Sequence, residues 1–154
     1  LGQDVPARHP LAMDRAKAAN RGQGARLAVI GADAASYESD ADICLPIRTG
    51  SAAALMRGLL AWCRRAGAVD EGWLAARVKV PEGFWDALAE GADLWSVARA
   101  CDVPACDVQR FFDMVVASPR MVTLFDHDTQ DKDAARDLAS AIVNVHLATG
   151  RVGK

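Results

Sequence analysis

Thr49, Gly50 and Ser51 follow a short aliphatic run, and an Ala/Leu-rich stretch starts directly after them. Glycine lets the backbone approach a ligand closely, serine favours the N-cap of a helix, and the free N–H groups at a helix start attract anions. Arg48 precedes this turn, and a guanidinium can grip a phosphate with two parallel hydrogen bonds. Together these residues have the chemistry of an anion site. An ordinary strand-to-helix loop with a capped helix uses the same residues, and Arg48 would then pair with one of the acids upstream of it. Those acids are Asp33, Glu38, Asp40 and Asp42, within the polar stretch 33–42. They could ligate a metal, or simply solvate a loop. A second polar cluster, residues 126–133, holds His127 between Asp126 and Asp128, followed by Thr129, Gln130 and Asp131. His127 could act as a base or a metal ligand, though a solvated histidine among acids before a helix start is the commoner reading. No catalytic residue and no metal-ligand set stands out. Cys44, Cys63, Cys101 and Cys106 contain no C-x2-C pair and read as reduced thiols of a cytoplasmic protein.

The elements that must position these loops follow from periodicity. Residues 27–30 and 43–45 are short aliphatic runs bounded by turn-formers, which read as buried strands of a parallel sheet. Residues 121–125, apolar and partly β-branched, predict a third strand. Ligand loops in such sheets lie at the carboxyl ends of the strands, where both polar clusters fall. Helices are predicted over residues 11–20 and 52–66, the latter with Leu55, Leu59 and Trp62 as its inward stripe. Residues 69–117 read as short helices. Asp70 and Asp93 open two of them, Pro81 begins another with Phe84, Trp85 and Leu88 on its apolar side, and the last carries Val108, Phe111, Phe112 and Val115 inward. Tryptophans at helical spacing read as core rather than as a stacking platform. A closing helix over 134–149 buries Leu138, Ala141, Ile142 and Val145. Strands separated by helical segments require right-handed crossovers. The expected fold is therefore one α/β domain over residues 1–154, three-layered and Rossmann-like.

Composition narrows the classes further. The chain has 154 residues, 51% hydrophobic and 25% charged, with a net charge of −2. That suits a globular domain and carries no basic field for nucleic acid. No apolar run approaches the roughly 20 residues that span a bilayer, and nothing at the start resembles a signal peptide. The leading Leu1 and the closing Gly-Arg-Val-Gly-Lys suggest a fragment of a longer polypeptide.

Three stretches, read together, carry a resemblance. They are residues 42–55 (DICLPIRTGSAAAL), the block from Gly58 to Glu71, and residues 144–153 (NVHLATGRVG). In order and over nearly the whole chain they resemble the molybdopterin oxidoreductases of the DMSO reductase type, most closely the assimilatory nitrate reductase branch. The resemblance implies one α/β domain of a much larger enzyme of nitrate reductase or formate dehydrogenase type. That domain would hold part of a molybdenum bis(molybdopterin guanine dinucleotide) cofactor and would be inactive alone. An iron–sulfur cluster would lie outside this segment. The partners would be the remaining domains of the same subunit and an electron-donor protein. The family motif LPIRPGTDAAL aligns with Leu45 to Leu55, so Pro46, Arg48, Gly50 and Ser51 would contact the guanosine end. Gly31, Ala32 and Asp33 occupy the turn after the first strand. His127, Asp128, Thr129 and Gln130 fall on the loop that approaches the pterin.

The chain also departs from that pattern. Gly31-Ala32-Asp33 stands where the family has Asp-Pro-Arg, Ala52 where it has Asp, and Asp128 where it has Gly. These departures suit a second reading, a domain that keeps the fold without the cofactor inside a larger redox complex, as the large iron–sulfur subunit of respiratory complex I resembles.

Overall fold

A computed structural model of the chain describes Leu1, residues 8–126 and residues 131–152. The elements run α1 (Pro10–Gln23), β1 (Ala28–Ile30), a 3-10 turn (Ala34–Tyr37), β2 (Ile43–Leu45), α2 (Ala52–Arg65), α3 (Glu71–Arg77), α4 (Phe84–Ala89), α5 (Leu94–Cys101), α6 (Ala105–Ala117) and α7 (Lys132–Ala148). β1 and β2 pair in parallel, Ala28 opposite Ile43 and Ile30 opposite Leu45. The fold is thus α/β in character but mostly helical, with a two-stranded sheet among the described residues.

The core is built around α2. Leu55, Leu59 and Cys63 are fully buried, and Leu45, Val97, Val108, Phe112 and Val145 pack about them with almost no exposure. A Cβ on Gly58 would collide with the Val97 side chain and press on the Phe112 ring, so glycine lets α2 and α5 approach closely. The most extensive helix contact is between α2 and α7. Arg57 pairs with Asp137 near the starts of both, and Asp70 N–H donates to the Ala148 carbonyl at 2.8 Å near their ends. The two helices therefore run side by side in the same direction.

Capping follows the sequence closely in the helical half. The Asp70 carboxylate accepts from Trp73 N–H, and Asp93 accepts from Trp95 and Ser96 N–H. α4 begins at Phe84, later than Pro81 suggested, because Gly83 takes a left-handed conformation and serves as its N-cap.

Two expectations are corrected. Residues 121–126 form no strand; Val122 is 85% exposed and Leu124 45%. A strand needs a ladder partner, and among the described residues the backbone bonds to that run are those of Leu1 with Leu124 and Asp126. The tryptophans are also less buried than expected. Trp62, Trp73 and Trp85 are half-buried, each with an arginine over its ring (Arg65, Arg77 and Arg64), and Trp95 is exposed. An indole packs its apolar body under a guanidinium while its edge stays wet.

Candidate functional site

Parallel strands place their following loops at one edge. Gly31 N–H donates to the Leu45 carbonyl at 3.1 Å, which extends the ladder and sets residues 31–33 beside residues 46–51. Gly31 is buried, whereas Ala32 and Asp33 are exposed. After β2, Ile47 is buried and anchors the loop, with its N–H on the Leu45 carbonyl at 2.9 Å. Pro46, Arg48, Thr49 and Gly50 are exposed around that anchor. Gly50 has φ +84°, a conformation that disfavours any side chain, with open space where a Cβ would stand.

Ser51 occupies the N-cap position of α2 but does not cap it. Its hydroxyl donates to the Arg48 carbonyl at 2.6 Å, and its N–H donates to the same carbonyl at 3.1 Å. The physical reason is backbone shape. Ser51 is already helical (φ −87°, ψ −2°), whereas a capping serine needs an extended conformation to reach forward. The Ser51 side chain therefore caps none of the first-turn N–H groups of α2.

Arg48 pairs with none of the upstream acids. Its guanidinium lies 3.7 Å from the Asp102 carboxylate, and its backbone N–H donates to the Cys101 carbonyl at 2.8 Å. The Cys101 thiol in turn points to the Ser51 carbonyl at 3.8 Å. The end of α5 thus braces the loop after β2. The acids of residues 33–42 have other work. Asp40 pairs with Lys17 at 2.7 Å and Arg21 at 3.1 Å, and the Lys17 hydrogen bond holds its carboxyl below the usual range. Asp42 accepts from Asn20 and from Leu27 N–H, both at 2.7 Å. These bonds tie α1 to the sheet. Among the described residues no group of three His, Cys, Asp or Glu side chains could hold a metal.

His127, Asp128, Thr129 and Gln130 lie outside the described residues. On their flanks, Asp126 pairs with Arg8 at 3.1 Å, and the Asp131 carboxylate caps α7 by accepting from Asp133 and Ala134 N–H. Because α2 and α7 run in the same direction, α7 begins at the domain end that carries residues 46–51.

Sequence reasoning missed three groups. Asp102 and Cys101 brace the site from 50 or so positions away, a contact that no local pattern reveals. Arg151, 8% exposed, donates to the Val115 and Ser118 carbonyls at 2.9 and 2.6 Å, closing the C-terminal end of α6. His146 shares a 2.9 Å hydrogen bond with the Thr123 hydroxyl, and burial, with Arg151 nearby, lowers its pKa. The thiols of Cys44, Cys63 and Cys101 are all pushed up by burial, which keeps them protonated.

No helix of the described residues is long and apolar enough to cross a membrane. No family model matches the chain. Two curated proteins are similar to it from end to end. The nitrate reductase of Shewanella frigidimarina (strain NCIMB 400) is 26% identical over 158 residues, and that of Klebsiella oxytoca is 28% identical over 155 residues. The whole chain is covered in both cases, but only 16% and 17% of those proteins. The chain is therefore related, over its full length, to one segment of the nitrate reductases, and spans about a sixth of them.

Proposed function

We propose that this chain is the cofactor-holding α/β domain, three-layered in its complete setting, of a nitrate-reductase-like molybdoenzyme. The observation that carries the reading is end-to-end similarity to two nitrate reductases, with the two strand-end loops side by side at one edge. The residues present fit the anionic end of a dinucleotide. Ser51 does not cap the amides at the start of α2, Gly50 leaves room for a ligand beside them, and the exposed Arg48 adds a cation. Arg48, Gly50 and Ser51 would hold the dinucleotide phosphate and Pro46 the sugar side, with Gly31, Ala32 and Asp33 beside them. On the family resemblance, His127, Asp128, Thr129 and Gln130 would face the pterin. The bound molybdenum group would supply oxo transfer to or from an oxyanion with two electrons. This chain's part is to bind and orient that group. An iron–sulfur cluster and an electron-donor protein would act through other parts of the enzyme.

A second reading, a domain of the same fold without cofactor, is favoured by specific residues. Ala52 offers no carboxylate to a guanine edge, and Asp33 puts a negative charge where the family has arginine. Losing a hydrogen bond to a buried base costs about 1–3 kcal/mol. Metal analysis of the purified full-length protein separates the two readings. Molybdenum and released guanine nucleotide stoichiometric with polypeptide are expected. A folded full-length protein that contains neither, even when expressed with ample molybdate, overturns the cofactor reading.

A further inference from the structure

Trp95 stands apart from the other tryptophans. Trp62, Trp73 and Trp85 each lie under an arginine, whereas Trp95 is 71% exposed and, among the described residues, carries no guanidinium over its ring. Its backbone is held firmly, because its N–H donates to the Asp93 carboxylate at 3.0 Å in the cap of α5. Arg99 follows at i+4, on the same face of α5. It is exposed, and none of the ion pairs among the described residues includes it. Trp95 and Arg99 line one surface cleft of about 450 Å³, with Ala98, Val103 and Pro104 as its apolar wall. That volume falls within the roughly 300–1,000 Å³ of small-molecule sites. Asp102 lines the same cleft and lies 3.7 Å from the Arg48 guanidinium, so the cleft and the loop after β2 adjoin. The Arg48 N–H on the Cys101 carbonyl, at 2.8 Å, fixes that junction.

We propose that Trp95 and Arg99 form the platform for a guanine base whose phosphate lies at the loop after β2. The placement of the phosphate rests on the cofactor reading above; the base platform rests on the cleft. An open indole face stacks a base of any sequence, because every base has a π-face. Selection falls to Arg99. A guanidinium has five N–H donors and no acceptor. One edge of guanine offers two acceptors, O6 and N7, which take both arms of a single guanidinium. Adenine and cytosine each put an amino group, a donor, on that edge instead. Asp102 sorts the two ends of the ligand. Its carboxylate at the junction repels a phosphate from the cleft, while the uncharged base enters. The phosphate stays on the Arg48 side, where the turn at Gly50 leaves open space. Arg48 and Asp102 form an exposed pair of small strength, so Arg48 turns to the phosphate at little cost.

Calorimetric titration of the full-length protein, prepared free of cofactor, with GMP, AMP and CMP tests it. GMP should bind at least about fivefold more tightly than AMP or CMP. Arg99→Gln should remove that preference. Trp95→Ala should weaken GMP at least about fivefold, and Trp95→Phe should keep most of the wild-type affinity. Both side chains are exposed, so the variants should melt like wild type. Failure of wild type to bind GMP, equal binding of GMP and AMP, or GMP binding untouched by Trp95→Ala and Arg99→Gln overturns the platform. If molybdenum and guanine nucleotide are nonetheless stoichiometric in the purified enzyme, the cofactor reading stands without it. If the purified protein holds neither yet titrates with the expected preference, the cofactor reading falls and the platform stands as a site for a free guanine nucleotide.

Discussion

The Arg48 guanidinium lies 3.7 Å from the Asp102 carboxylate, and both side chains are largely exposed. The pair joins the loop after β2 to the end of α5. In water such a pair contributes about 0–1 kcal/mol, so its role in the fold is small and Arg48 is available to an anion. Arg48→Ala should change stability by less than about 1 kcal/mol while lowering molybdenum content of the full-length protein. Asp102→Asn should leave both unchanged, since asparagine also tolerates the left-handed conformation at this position (φ +60°). Full molybdenum occupancy in the Arg48→Ala protein would remove Arg48 from the site.

Leu59 is fully buried at the centre of α2. Leu59→Ala removes apolar contact and leaves a cavity, at a cost of about 2–5 kcal/mol. Urea denaturation should show the midpoint fall with the slope retained. A midpoint shift near zero would mean that this face of α2 is not in the core.

Gly58→Ala sets two effects against each other. Alanine raises helix propensity by about 1 kcal/mol, yet its methyl would press into Val97, a stiff β-branched side chain that is 1% exposed, and against Phe112. Overpacking costs about 1–3 kcal/mol. The expected outcome is a net loss of up to about 2 kcal/mol, and a stabilised variant would show that α2 and α5 can separate without cost.

His146 has its pKa lowered by burial and then by Arg151. In the unfolded chain it titrates near 6.5, so on acidification the unfolded state takes up a proton before the folded state does. Its contribution is full above about pH 6.5 and is lost progressively as pH falls toward the folded value. His146→Gln keeps a partner for the Thr123 hydroxyl and does not titrate. Thermal melts between pH 7.5 and 5.5 should show a smaller acid loss for His146→Gln than for wild type; equal losses would assign the effect to other groups.

Local chemistry made much of this molecule legible from its residues. Apolar side chains at three- and four-residue spacing define the buried faces of α2, α6 and α7, because a helix returns them to one side whatever its neighbours do. Asp70 and Asp93 announce helix starts, because a carboxylate reaches its own chain's amides within three residues. The strands 28–30 and 43–45 and their edge loops follow from short aliphatic runs between turn-formers. Tertiary structure alone decided the rest. Whether Ser51 caps α2 depends on the backbone angle after Gly50, and the partner of Arg48 depends on where α5 ends. The run 121–125 has the composition of a strand yet makes no ladder, because a strand is completed by hydrogen bonds to another segment and no sequence supplies its own partner.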